Sequence, residues 1–142
     1  MLALDANILI RAVLGTRAIA LIESYAGTVR LLVADAVVRE ARGHLPKILA
    51  QRDLDPEPAL AAFDTLLGFL ALVERDAYAA QETEAKRRLR TRDIDDWPTA
   101  AVALTFGCGI WTEDRDFFGS GISTWTTDRV EIFLQSLPPS KE

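Results

Sequence analysis

A single α/β domain, with a parallel five-stranded sheet flanked by helices, is the fold that three observations predict. Short apolar runs alternate with helical stretches along the whole chain. Those runs are mostly continuous in apolar character, as in strands buried on both faces, and do not alternate residue by residue. The chain has 142 residues, 49% of them hydrophobic and 26% charged, enough for one core and incompatible with disorder.

The elements follow in order. Leu2-Ala3-Leu4 stops at Asp5 and makes the first strand. Asp5-Ala6-Asn7 opens a helix over residues 8–14, broken at Gly15, and a second helix covers residues 18–25 ahead of Gly27. Residues 29–34 (VRLLVA) make the second strand, and Asp35 ends it and can cap a helix from Ala36. On that helix Val37, Val38, Ala41 and Leu45 form the apolar stripe, and Pro46, lacking a backbone donor, is expected to bend or end it.

Residues 56–69 are helical by composition, and residues 70–74 (LALVE) make the third strand. Asp76 stands where it would cap a long helix through Arg90. After Asp93-Ile94-Asp95-Asp96-Trp97-Pro98 comes an Ala-rich helix over residues 99–106, ended by Gly107 and Gly109. Residues 109–112 (GIWT) and 124–127 (TWTT) make the fourth and fifth strands, and Asp128 caps a last helix over residues 129–137. Residues 1–137 therefore read as one domain, with residues 138–142 (PPSKE) as a short disordered tail.

Composition excludes several classes. No apolar run reaches the roughly 20 residues of a membrane span, and no basic stretch leads into an apolar one as in a signal peptide. A lone cysteine, Cys108, forms no internal disulfide, which fits a reducing, cytoplasmic setting. One histidine and one cysteine cannot supply a zinc finger. A net charge of −5 argues against a domain that simply coats nucleic acid.

The acids carry the chemistry. Asp5 ends the first strand, Asp114 follows the fourth, Asp96 opens the helix that feeds the fourth, and Glu40 lies one turn into the helix after the second. All four fall at the carboxyl edge of the predicted sheet, where ligands of such folds bind. Taken singly, Asp5, Asp35, Asp76 and Asp128 are plausible helix caps. Capping does not explain three carboxylates at Asp93, Asp95 and Asp96, or two at Asp114 and Asp116. Any of the first three could serve; Asp96 shares a helical face with Ala100 and Ala103 and is assigned inward on that ground.

Clustered carboxylates repel and call for compensation. A hard divalent cation such as Mg²⁺ or Mn²⁺ provides it through oxygen ligands. Such an ion can hold a phosphate, activate water and stabilise a leaving oxygen, which suits phosphodiester hydrolysis. Lys86, Arg87, Arg88, Arg90 and Arg92 lie directly before Asp93, and Arg39 and Arg42 flank Glu40. Guanidinium groups around an acidic centre suit a polyanionic strand, so Arg87, Arg88, Arg90 and Arg92 are candidate contacts for such a strand; a solvated helix face is the competing explanation. His44, Cys108 and the three tryptophans read as structural.

At these residues the sequence resembles the PIN-domain family, in particular the toxins of VapC-type toxin–antitoxin modules. The resemblance runs through LDANILIRAVLG, VVREARGHL, DIDDWPTAAVALTFG and IWTEDRDFFG, and covers most of the chain. It implies a Mg²⁺- or Mn²⁺-dependent ribonuclease acting on RNA, a small antitoxin partner and a two-fold homodimer. It makes Asp5, Asp96 and Asp114 metal ligands, Glu40 the fourth catalytic acid, Asn7 and Thr112 the polar residues that hold the site, and Asp116 an accessory acid. Residues 56–72, rich in Leu, Phe and Ala, offer apolar surface for pairing. Two rivals remain. One is another Mg²⁺-dependent phosphotransfer or receiver-like α/β domain, although Asp5-Ala6-Asn7 lacks the second acid of an Asp-x-Asp phosphatase. The other is a catalytically idle module that binds RNA or protein.

Overall fold

The computed structural model describes residues 1–138. The first half runs β1 (Leu2–Leu4), α1 (Ala6–Leu14), α2 (Arg17–Tyr25), β2 (Leu31–Ala34), α3 (Asp35–Gln51), α4 (Glu57–Leu67) and β3 (Ala71–Val73). The second half runs α5 (Arg75–Tyr78), α6 (Glu82–Leu89), α7 (Trp97–Phe106), β4 (Gly109–Trp111), β5 (Thr124–Trp125) and α8 (Val130–Ser136). Short 3₁₀ turns sit at Ala79–Gln81, Ile94–Asp96 and Arg115–Phe117. Of the expected tail, residues 139–142 lie outside the described residues.

The five strands form one sheet in the order β3-β2-β1-β4-β5, and every neighbouring pair is parallel. The chain winds outward from β1 through β2 to β3, then crosses back to lay β4 against the other side of β1. The strand order therefore reverses between β1 and β4, where Leu4 pairs with Trp111. Open parallel sheets place their ligand crevice at this switch point. All residues of β1 and β2 are buried, as continuous apolar runs require.

Helix α7 lies across β1, β2 and β4. Its residues Pro98, Thr99, Ala100, Ala101, Val102 and Ala103 are all buried, so it is covered by the sheet on one side and by α6 on the other. Small side chains make that close approach possible. Gly107 ends the helix at φ +64°, a left-handed conformation that suits glycine. Helix α1 packs against α2, α3 and α4. Phe63, Leu45 and Ile8, each fully buried, belong to the core these helices share with the sheet.

The strands fall where the apolar runs predict, with β2, β3 and β5 shorter by two residues each and β4 by one. Four helix expectations are corrected. Helix α3 continues through Pro46 to Gln51, because Leu45 and Leu49 are buried on either side and hold the flanking turns in place. The predicted long helix from Asp76 to Arg90 is broken into α5, a 3₁₀ turn and α6. Asp76 does not cap it. The cap is Asp35, distant in sequence, which accepts the Arg75 N–H at 3.2 Å and the hydroxyl of buried Tyr78 at 2.5 Å. Asp128 likewise accepts the Thr126 hydroxyl, and α8 starts at Val130. Helix α7 begins two residues early, at Trp97, behind the 3₁₀ turn that Asp93 caps.

Pro46 withholds the hydrogen bond that the Arg42 carbonyl would otherwise accept. Interior proline costs a helix about 3 kcal/mol, less where the structure has adapted to it. Pro46→Ala is expected to stabilise the protein by about 1–2 kcal/mol and raise its melting temperature by roughly 2–8 °C. An unchanged or lower denaturation midpoint in urea would show that the ring's packing outweighs the missing bond.

Candidate metal centre

The site begins where β1 stops. The Asp5 N–H donates to the Trp111 carbonyl at 3.2 Å, and the chain then turns into α1. The Asp5 side chain is only 3% exposed, so its carboxylate depends on neutral donors. Oδ1 accepts the Ala6 N–H at 2.9 Å and the Thr99 hydroxyl at 3.4 Å. Oδ2 accepts Asn7 Nδ2 and the Thr112 hydroxyl, both at 2.9 Å.

Asn7 and Thr112 tie the exits of β1 and β4 together. Asn7 Nδ2 also donates to Thr112 Oγ1 at 3.0 Å, while Asn7 Oδ1 accepts the Glu113 N–H at 3.0 Å. Thr112 Oγ1 in turn accepts the Asp114 N–H at 2.9 Å. Asp114 Oδ1 accepts the Asp116 N–H at 2.9 Å and so caps the turn Arg115–Phe117. Asp96 arrives from the other side, at the junction between the turn Ile94–Asp96 and α7.

The result is a trio. Asp5, Asp96 and Asp114 each present a carboxylate oxygen within 4.8 Å of the other two. Asp93, Asp96 and Asp116 form a second such group, sharing Asp96. Asp95 belongs to neither group among the described residues. Glu40 stands apart from the trio but lines the same cleft of about 350 Å³, together with Asn7, His44 and the three trio acids.

The electrostatics follow from burial and from the acids' mutual charge. Burial raises the Asp5 carboxyl above its ordinary value against its Thr112 and Ala6 hydrogen bonds, and the charge of Asp114 raises it further. Burial also raises Glu40, with the charge of Asp5 adding to it. Asp96 is pushed up to about 8 by burial, by the charge of Asp5 and by its close approach to Asp114. Asp116 is raised chiefly by the charge of Asp114. Asp96 Oδ2 is buried and has no hydrogen-bond partner. An orphaned buried oxygen among repelling carboxylates asks for a proton or a cation.

The arginine run is not brought to this cleft: none of Arg87, Arg88, Arg90 and Arg92 lines it. Arg87 is bound by Glu84 through Nε at 2.8 Å and Nη2 at 2.5 Å. Arg88 is bound by Glu84 and by the Ser120 carbonyl. Arg92 lies against Gly119. One residue escapes the sequence reading, Thr99, whose hydroxyl reaches Asp5. Its signal is its position three residues after Asp96, which places it on the same helical face.

A parallel sheet with acids gathered at its switch point defines a class of α/β proteins that bind ligands beyond the strand ends. A family model, the PIN domain, matches residues 3–135, and the chain belongs to that family. No curated protein sequence matches it significantly. Among solved structures it is similar to PAE2754 from Pyrobaculum aerophilum, at 19% identity and a TM-score of 0.68, covering 94% of this chain and 88% of that one. It is also similar to VapBC2 from Rickettsia felis, bound to a DNA fragment from their promoter, at 17% identity and 0.66, covering 87% and 96%. FitAcB from Neisseria gonorrhoeae is similar at 19% identity and 0.66, covering 89% and 98%. At these identities the likeness is one of fold.

Asp96 gives a pH signature. Its carboxyl titrates at about 8 in the folded chain and near 3.8 when unfolded. Between those values the folded state binds the extra proton, so this contribution is complete at low pH and is lost as pH rises through about 8. Glu84, held low by Arg87 and Arg88, works in the opposite sense, but its gain is complete above its ordinary value of 4.5. In chelator the melting temperature should therefore fall from pH 5 to pH 8. Asp96→Asn should flatten that decline and melt above wild type at pH 8. Parallel pH profiles for the two proteins would count against a raised Asp96.

Proposed function

We propose that this chain is a Mg²⁺- or Mn²⁺-dependent endoribonuclease and the VapC-type toxin of a toxin–antitoxin pair. The observation that carries the proposal is the Asp5–Asp96–Asp114 trio with its orphaned Asp96 oxygen. The donors are oxygens alone, which suits a hard divalent ion, and no soft ligand competes in the trio. Membership of the PIN family supports nuclease chemistry. Similarity to structures described as VapBC2 and FitAcB supports the toxin role and a small antitoxin partner.

Asp5, Asp96 and Asp114 would hold the ion. When bound, it supplies the Lewis acidity that activates water and stabilises charge on a leaving oxygen. Asp5 is kept in place by its four donors, with Asn7 and Thr112 fixing the gap between the two strand exits. Glu40, across the cleft on α3, orients water through its carboxylate. Asp116 supports the loop that carries Asp114. A toxin of this kind would act in the cytoplasm. Among the described residues no helix is long and apolar enough to cross a membrane. Leu72 on the edge strand β3, 57% exposed, and Phe69, 37% exposed, supply an apolar face for a homodimer. Light scattering at tens of micromolar should show a dimer, and a monomer would remove that part of the proposal.

Asparagine replaces a carboxylate ligand at nearly equal volume and loses its charge. At 100 times its Kd, Mn²⁺ should stabilise the wild type by about 2.7 kcal/mol, or roughly 5–10 °C. Asp5→Asn, Asp96→Asn and Asp114→Asn should lose that shift and reduce Mn²⁺-dependent cleavage of RNA to background. Asp95→Asn should retain both. A metal response lost in Asp95→Asn and kept in Asp96→Asn would move the ligand by one residue. Wild-type responses in all the variants would reduce these acids to caps. A normal Mn²⁺ shift with no cleavage of any RNA would indicate an idle binding module.

A further inference from the structure

The α6 arginines have a use other than the one their charge suggests. The Arg88 side chain is only 27% exposed. Its Nε donates to Glu84 Oε1 at 3.0 Å, and its Nη1 donates to the Ser120 carbonyl at 2.9 Å. Among the described residues, this second bond is the one hydrogen bond joining residues 115–122 to chain outside residues 114–124. Everything else in that loop is bonded locally.

Ser120 passes the restraint onward. It is buried at 5% exposure, and its hydroxyl donates to the Phe117 carbonyl at 2.6 Å. Phe117 is fully buried and closes the 3₁₀ turn that Asp114 caps. Glu84, Arg88, Ser120, Phe117 and Asp114 thus form one continuous path from α6 to the metal centre. The glycines on either side of Ser120 make the contact possible. Gly119 and Gly121 have φ of +84° and +80°. A Cβ at Gly121 would stand 2.7 Å from Arg88 Nη1, and one at Gly119 would stand 2.7 Å from Arg92 Nη2. Both guanidinium groups lie directly on bare backbone.

We propose that Arg88 and Arg92 are positioning residues that clamp the loop 115–121 and so set where Asp114 and Asp116 present their carboxylates to a divalent cation. The inference rests on the reading of Asp114 as a metal ligand. It assigns these two arginines to the architecture of the metal centre and removes them from the RNA track. Arginine suits the task because its rigid fork reaches Glu84 and Ser120 in two fixed directions. Lysine keeps the charge but not the fork.

The test compares wild type with Arg88→Lys and Arg88→Ala in three measurements. These are Mn²⁺ affinity by calorimetry, amide exchange of residues 114–122 in chelator, and the salt dependence of single-stranded RNA binding in chelator. Both variants should bind Mn²⁺ about tenfold or more weakly, as loss of outer-sphere support typically does. Both should exchange the Asp116, Phe118 and Ser120 amides faster and keep the wild-type salt slope. Wild-type metal affinity and exchange in Arg88→Lys, with a slope lower by about 0.7 in Arg88→Ala, would make Arg88 a phosphate contact and overturn the clamp. Should Arg88→Ala fail to fold, Arg88→Lys decides by the same criteria. Should the wild type bind no Mn²⁺, the metal reading fails on its own account, and unchanged exchange in both variants then separately overturns the clamp.

Discussion

Like-charge repulsion at the carboxyl edge of the sheet is the constraint on which the rest of this structure turns. Asp5, Asp96 and Asp114 crowd within 4.8 Å with only neutral donors around the buried member. No arginine lines the cleft, although the charge of Arg92 acts on Asp116 at its rim. Arg42 pairs with Asp64, Arg75 with Glu82, and Arg87 and Arg88 with Glu84. The fold thus assembles a concentrated negative charge and leaves its compensation to something that can come and go. A permanent internal ion pair would have given a more settled site with no room for a cation.

Topology determines how that concentration is reached. Asp5 and Asp114 lie on adjacent strand exits because β4 returns to the side of β1 that β2 leaves free. Asp96 reaches them because the small residues of α7 let that helix settle onto the sheet. The bonds from Asn7 to the Thr112 hydroxyl and to the Glu113 N–H span more than a hundred residues of sequence and exist only when both strands are paired. The site is therefore a property of the completed sheet, and no isolated segment can carry it.

Legibility in the sequence divides along the same line. Strands buried on both faces announce themselves as apolar runs, and the residue that ends each run is fixed by the run itself. Asp5 and Asp114 could be placed for that reason, and Asp96 from its face of α7. The break in the helix after residue 75 could not be read locally, because its cap, Asp35, comes from the start of α3. Pro46 was misjudged because burial of its neighbours decides the matter and the proline does not. The contacts of the arginine run are likewise set from outside it. A string of cations looks free in sequence, whereas two of these side chains have partners on α6 and in the loop after β4.

The raised carboxyls and the arginine-held loop fit together physically. With its carboxyl pushed up to about 8, Asp96 would give up a proton when a cation enters the trio, so binding there would strengthen as pH rises. Once that proton has left, the Asp96 carboxylate repels Asp114. A loop fixed only through short-range bonds of its own would yield to that push and let the acids separate, which would weaken a cation's hold. Anchoring the loop from outside, through Arg88 on the Ser120 carbonyl and Phe117 in the core, resists the separation without placing a positive charge between the acids. The load of holding like charges together is thereby passed to α6 and to buried Phe117, neither of which lines the cleft.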